Sequence, residues 1–102
     1  MAGVEYRSFL DFYPFYLTEH SRSGTRRLHF AGTSLVLLSL AYALVTQRWG
    51  FLALVPLFGY GFAWVGHFAV EKNRPATFQH PLYSLAGDFR MFADMVRGRV
   101  SF

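Results

Sequence analysis

The 102-residue sequence contains no cysteine, so it can form no disulfide bond and offers no thiolate to a metal ion. Charged residues are scarce as well, at 16% of the chain against about 25% in soluble domains. No G-x-S-x-G elbow, P-loop or dinucleotide fingerprint is present, which disfavours serine-hydrolase and nucleotide-binding chemistry. The first residues lack a basic region followed by an apolar stretch, so no signal peptide is expected.

Apolar sequence, by contrast, is abundant: 53% of the residues are hydrophobic and 20% are aromatic. Two segments, residues 28–47 and 49–70, carry no formal charge. A helix needs about 20 apolar residues to cross roughly 30 Å of hydrocarbon, and both segments are long enough. We therefore predict an all-α integral membrane protein, a single domain over residues 1–102, whose transmembrane helical hairpin spans about residues 29–47 and 50–70. A buried soluble hairpin is the alternative, but little chain remains to cover it.

The basic residues predict the orientation of this hairpin. Its loop contains only Arg48, whereas both flanks are basic: Arg7, Arg22, Arg26 and Arg27 before the first span, and Lys72, Arg74, Arg90, Arg97 and Arg99 after the second. By the positive-inside rule, both termini are cytoplasmic, in a bacterial inner membrane or an endoplasmic reticulum depending on the source. The net charge of +4 does not indicate a nucleic-acid partner, because these residues flank apolar segments and meet lipid headgroups instead.

The flanks of the hairpin are predicted to lie at the membrane surface. The aromatic segment 9–17 suits the headgroup region. An amphipathic helix is expected at about residues 82–97, lying against the membrane or the hairpin, with its apolar face formed by Leu82, Leu85, Phe89, Phe92 and Val96. In the second span, Gly59, Ala63 and Gly66 permit close approach of a helix, either within the hairpin or in a homo-oligomer.

The four histidines, His20, His29, His67 and His80, are the main candidates for chemistry. His29 and His67 are equally distant in sequence from Arg48, so a hairpin turning there returns them to the same depth. His20 and His80 lie in the flanks beside the same edge. Neutral imidazoles bind iron, zinc, copper or nickel. Two interpretations stay open from the residues alone: a metal site, or ordinary interfacial histidines.

Acidic residues near the histidines are further candidates. Glu71 is four residues past His67, which places it on the same face of an α-helix. It is expected to be a metal ligand or an acceptor that orients an imidazole. Glu19, next to His20, and Asp88 are candidates for the same roles.

Four stretches resemble one family of membrane 2-hydroxy-fatty-acid dioxygenases (Mpo-like, named for phytosphingosine metabolism). They are FYPFYLTEH at 12–20, RRLHFAGT at 26–33, GYGFAWVGHFAVEKNRPATF at 59–78 and HPLYSLAGDFRM at 80–91. The resemblance runs from about residue 5 to residue 95. It implies iron(II)-dependent alpha-oxidation, in which a long-chain 2-hydroxy fatty acid and O2 give the one-carbon-shorter acid and CO2.

The resemblance also implies residue roles. His20, His29, His67 and His80 correspond to the family's histidines and would be the Fe(II) ligands and catalytic residues. Independently of the resemblance, two further hypotheses follow from the residues. The substrate carboxylate is expected to pair with Arg26, Arg27 or Arg74, for which contact with lipid headgroups is the alternative. Aromatic side chains are expected to wall the site or to belong to an interfacial aromatic belt: Tyr13, Tyr16, Trp64 and Phe68.

Coordination arithmetic leaves one question open. Octahedral iron has six positions, so four histidines leave too few for a bidentate substrate together with O2. Either one histidine is not a ligand during turnover, or the substrate binds through one atom. Two other functions are also considered: a non-catalytic membrane protein with a structural zinc site, and a lipid-binding or transport subunit.

Overall fold

Every regular element in the described part of the chain is helical. The computed structural model describes residues 6–75 and 78–102. Within them lie α1 (Phe9–Thr18), α2 (Ser23–Thr46), α3 (Leu54–Val65) and α4 (Pro81–Val96). A 3-10 helix, Trp49–Ala53, leads into α3, and a π-helical segment, Gly66–Glu71, continues it. The predicted all-α class is therefore confirmed.

Helices α2 and α3 form an antiparallel hairpin that turns at Gln47, which adopts a left-handed conformation with φ 55°. The helices approach most closely at two glycines. A Cβ atom at Gly32 would lie 2.9 Å from the Phe58 carbonyl oxygen, and one at Gly66 would lie 3.0 Å from Thr25 Cγ2. Small residues therefore bring the two arms together, as the sequence predicts for Gly66.

Helix α1 packs on α4 and forms the apolar core with it. The buried residues of this core are Phe12, Tyr13, Tyr16, Met91 and Met95. Gly87 allows this contact, because a Cβ atom there would lie 2.7 Å from the Tyr16 ring. The aromatic N-terminal segment is therefore a structural part of the fold.

The apolar face of α4, expected to lie against the membrane or the hairpin, is mostly not covered by the hairpin, although Phe92 stacks on Phe30 of α2. Leu82, Leu85, Phe89 and Val96 are exposed. The buried side of α4 combines Met91 and Met95 of the core with polar residues, among them Ser84 and Asp94. The reason lies in α1, since the hydroxyls of Tyr13 and Tyr16 donate to Asp94 and Asp88. These partners turn the polar side of α4 inward.

Two helical stretches are long and apolar enough to cross a membrane, namely Ser23–Thr46 and Trp49–Glu71. In their most apolar windows only 33% and 17% of the residues are buried by the rest of the protein. Length and composition thus agree with the predicted spans, although the core helix of a soluble protein can pass the same test.

Candidate metal centre

Three of the four histidines meet in one buried cluster. His20 lies in the connection between α1 and α2, His29 in the second turn of α2, and His67 in the π-helical segment after α3. Their exposed fractions are 1%, 5% and 2%. One potential ligand atom from each lies within 4.8 Å of the others, a spacing that could hold a metal ion.

The distances within this cluster confirm that the hairpin brings its two histidines level. The ring centroids of His29 and His67 lie 5.6 Å apart. His20 lies between them, 4.4 Å from His29 and 4.5 Å from His67. The Nε2 atoms of His20 and His29 are 3.0 Å apart, within hydrogen-bond distance. The same separation suits two adjacent ligands of an octahedral ion, each about 2.1 Å from it.

Hydrogen bonding fixes the tautomer of His20. Its Nδ1 lies 2.8 Å from the carbonyl oxygen of Tyr16. A carbonyl oxygen can only accept, so Nδ1 carries the proton and Nε2 keeps a lone pair. Burial lowers the pKa of His20 to about 3, more than the Tyr16 carbonyl raises it. The ring is therefore neutral near neutral pH, the form that binds metals.

Asn73 fixes the tautomer of His67 in the same way. The Nδ1 atom of His67 lies 2.7 Å from Asn73 Oδ1. The Asn73 amide nitrogen donates to the Glu19 carbonyl oxygen at 3.1 Å and to its carboxylate at 3.3 Å. The amide is thus held with its oxygen toward His67, which leaves Nε2 of His67 as the ligand atom. Glu19 takes part indirectly, through Asn73.

Asp88 stands on the Nδ1 side of His29. Its Oδ1 atom lies 3.5 Å from His29 Nδ1 and accepts a hydrogen bond of 2.5 Å from the Tyr16 hydroxyl. Burial raises the pKa of Asp88 to about 7 in spite of that bond. An ion bound at the Nε2 atoms of His20 and His29 would leave the proton of the His29 ring on Nδ1, where it faces Asp88. Each of the three imidazoles therefore has an oxygen near Nδ1, and this donor set fits a divalent metal.

Glu71 is bound to the start of α2 and is not one of the residues whose ligand atoms lie within 4.8 Å of one another in the described part of the chain. Its carboxylate accepts hydrogen bonds from the Ser21 hydroxyl at 2.9 Å and the Arg22 backbone N–H at 2.6 Å. Glu71 ends the π-helical segment Gly66–Glu71. Both hydrogen bonds tie its carboxylate to the start of α2, and its negative charge raises the pKa of His20.

His80 lies apart from the three-histidine cluster, in an aromatic environment. Its ring centroid is 5.2 Å from Tyr6, 5.4 Å from Phe12 and 6.5 Å from Phe15. It directly precedes Pro81, the first residue of α4. The structure thus brings His20, His29 and His67 together and places His80 in a different setting.

The three candidate arginines differ in availability. Arg26 donates to the carbonyl oxygens of His20 and Ser21 and to Ser101, so its guanidinium holds the chain together around the site. Arg74 stacks over the Phe78 ring at 5.2 Å. Arg27 and Arg74 are exposed.

The aromatic residues expected to wall the site also divide into two groups. Tyr16 stacks on His20 with ring centroids 4.2 Å apart, and Tyr13 is buried beside it. Phe68 is exposed. Trp64 is 39% exposed, but it lines the small pocket that contains His29, His67 and Asp88, as expected of a residue that walls the site.

An apolar groove leads away from the cluster between α2, α3 and α4. Its cavity of about 290 Å³ begins at His29 and Asp88. A smaller pocket that shares His29, Gly59, Tyr60 and Asp88 connects it with His67. The remaining lining of the groove is largely apolar: Thr33, Val36, Val55, Pro56, Gly59, Tyr60, Pro81, Leu85 and Phe89.

A known protein family matches almost the whole chain. The family model for 2-hydroxy-palmitic acid dioxygenase Mpo1-like proteins matches residues 6–100. No curated protein and no solved structure matches the chain. The matched region includes all four histidines, Asn73 and Asp88. The chain therefore belongs to the family of 2-hydroxy-palmitic acid dioxygenase Mpo1-like proteins.

Proposed function

We propose that this protein is an iron(II)-dependent dioxygenase that performs alpha-oxidation of 2-hydroxy fatty acids. The observation that carries the proposal is the buried cluster of His20, His29 and His67, which opens into an apolar groove. Three protein ligands with open positions are typical of non-haem Fe(II) oxygenases. Family membership supports the choice of substrate.

The proposed reaction balances without a further cosubstrate. A 2-hydroxy acid and O2 give the one-carbon-shorter acid, CO2 and water. The substrate supplies all four electrons: the hydroxyl carbon loses three as it becomes a carboxyl carbon, and the original carboxyl carbon loses one as it becomes CO2. Neither 2-oxoglutarate nor a reductase is required.

The residues in and around the cluster have different roles in the proposed reaction. His20, His29 and His67 would hold Fe(II), which supplies a template and an electron path for the substrate head and O2. Tyr16 and Asn73 keep the rings of His20 and His67 in the binding tautomer. The burial of all three rings keeps bulk water away, and the groove receives the acyl chain.

His80 is proposed not to be a ligand during turnover. Three histidine ligands leave three of six positions, enough for a bidentate hydroxy acid and O2. The aromatic surroundings of His80 support this assignment, as does the group of ligand atoms close enough to share an ion, which in the described residues comprises His20, His29 and His67. Because Arg26 is engaged with backbone oxygens, Arg27 and Arg74 remain the candidates for pairing with the carboxylate.

The hairpin is proposed to cross a membrane, with both termini and the metal centre on the cytoplasmic side. Many large apolar side chains of the two long helices are exposed, which water would disfavour and lipid tolerates. The exposed apolar face of α4 fits the membrane surface beside the site. A substrate with a long acyl chain could then reach the groove from the bilayer.

Direct turnover tests the proposal. Purified protein is loaded with Fe(II) anaerobically, then given O2 and 2-hydroxy acids of several chain lengths. We expect mass spectrometry to detect the one-carbon-shorter acid and stoichiometric CO2. His29→Ala and His67→Ala are expected to abolish the product.

Other outcomes would identify the competing functions. Tightly held stoichiometric zinc without product would indicate a structural metal site. Unaltered lipids, together with normal lipid binding in both histidine variants, would indicate a lipid-binding or transport subunit.

A further inference from the structure

The residues that line the groove beside the metal centre change from polar to apolar along its length. At one end lie the imidazole of His29 and the carboxyl group of Asp88, and at the other, nearer the hairpin turn, lie Val55 and Pro56. His29 and Val36 are seven residues apart on α2, which corresponds to about 10 Å along the helix axis. A site that is polar at one end and apolar over such a distance matches a molecule with a polar head and a single hydrocarbon chain.

Gly59 occupies the middle of this groove. It lines both the groove and the small pocket that reaches His67. A Cβ atom at Gly59 would lie 3.5 Å from Val36 Cγ2, across the space between α3 and α2. That distance is an ordinary van der Waals contact, so one methyl group would fit, but a larger side chain would fill the groove at this level.

Helix packing does not account for the glycine at position 59. At Gly32 and Gly66 a Cβ atom would lie 2.9 Å and 3.0 Å from atoms of the facing helix, so close packing explains those two residues. Gly59 has no comparable crowding, and the missing side chain leaves open space that belongs to the groove.

We propose that Gly59, facing Val36, determines how far the acyl chain of the substrate extends along the hairpin, and therefore which chain lengths are accepted. This inference rests on the proposed function. Bulk at position 59 would displace the methylene groups that lie beyond it in the groove. Each displaced methylene costs about fourfold in affinity, so the loss of two or three lowers kcat/KM for a long acid by about 15- to 60-fold.

Paired variants test the role of Gly59. Gly59→Ala and Gly59→Val are compared with Gly61→Val, because Gly61 lies on the same helix and a Cβ atom there would have nothing within 4 Å. The readout is the ratio of kcat/KM for 2-hydroxypalmitic acid to that for 2-hydroxyhexanoic acid. We expect Gly59→Val to lower this ratio by about 15- to 60-fold, Gly59→Ala to lower it less, and Gly61→Val to leave it unchanged. Adding Val36→Ala to Gly59→Val is expected to restore part of the ratio.

A second readout does not require turnover. A 2-hydroxypalmitic acid probe with a diazirine midway along its chain is photocrosslinked to the metal-loaded protein. Crosslinks are expected on the peptides that contain Val36, Val55 or Phe89, and Gly59→Val should suppress them. Equal ratios for Gly59→Val and Gly61→Val, or crosslinks unaffected by Gly59→Val, would overturn the role of Gly59. Absence of product with every acid, despite specific crosslinks, would overturn the catalytic proposal and leave the groove assignment standing.

Discussion

At the scale of single residues, the imidazole rings depend on the oxygen atoms that face their Nδ1 positions. Asn73 is the clearest case, because it contacts His67 and Glu19 at once. It orients the His67 ring and would therefore be a positioning residue for the proposed metal ligand. No spacing rule points to it, since it lies beyond the end of the π-helical segment and reaches His67 only through the fold.

Replacing Asn73 with Leu tests this role. The substitution removes the acceptor for His67 Nδ1–H at similar volume, so the ring can rotate or change tautomer. We expect the affinity for Fe(II) to fall by about 10- to 100-fold, measured by anaerobic competition with a chromophoric chelator. Gln79→Leu, which removes an exposed amide nearby, is the control. Equal affinities in the two variants would contradict the role of Asn73.

The histidines show what sequence can establish at this scale. The equal spacing of His29 and His67 from Arg48 was sufficient to predict that they lie level, because helical rise depends only on residue count. The different setting of His80 was not predictable. It depends on how α4 packs on α1, and sequence periodicity does not determine a contact between separate helices.

At the scale of elements, glycine contacts set the distance between α2 and α3. Gly32→Ala would place a Cβ atom 2.9 Å from both the Phe58 carbonyl oxygen and Phe62 Cβ. Because backbone atoms cannot move aside cheaply, we expect a loss of about 1–3 kcal/mol in the free energy of unfolding in detergent. Gly61→Ala, on an open part of α3, is the matched control. If Gly32→Ala were as stable as this control, α2 and α3 would have to lie farther apart than they do in the structure.

The junction of α1 and α4 is expected to make stability depend on pH. Burial favours the neutral acid at Asp94, but hydrogen bonds from Tyr13 and Arg90 outweigh this effect and lower its pKa below the ordinary 3.8. The stabilisation is fully present above that ordinary pKa and is lost as the pH falls through the lower pKa of the folded protein. The free energy of unfolding, measured in detergent, should therefore decrease below about pH 4. Asp94→Asn should reduce this acid sensitivity, and an unchanged profile would contradict the assignment.

Helices were easier to predict than their orientations. The long apolar segments and the apolar repeat near the C-terminus predicted helices where α2, α3 and α4 occur. The repeat did not reveal which side of α4 faces inward. Tyrosine hydroxyls on α1 require acceptors, and Asp88 and Asp94 supply them. The hydrogen bonds of Glu71 to Ser21 and Arg22 were equally invisible to spacing rules, because they join separate segments of the chain.

At the scale of the whole molecule, the proposed topology can be tested simply because the chain contains no cysteine. Single cysteines introduced as Arg48→Cys and Arg99→Cys can be labelled in intact cells or sealed vesicles with a membrane-impermeant maleimide. We expect Arg48→Cys to react from the outside and Arg99→Cys to react only after permeabilisation. The reverse pattern would invert the topology, and full outside labelling of both would contradict a two-span hairpin.

The central claim is that three histidines hold the iron while His80 does not, and the metal content of four single variants tests it most directly. Each of His20→Ala, His29→Ala, His67→Ala and His80→Ala is purified, loaded anaerobically with Fe(II), desalted and analysed by mass spectrometry for iron. We expect about one iron per chain in the wild type and in His80→Ala, and little in the other three. Loss of iron in His80→Ala, or its retention in two or more of the others, would contradict the assignment.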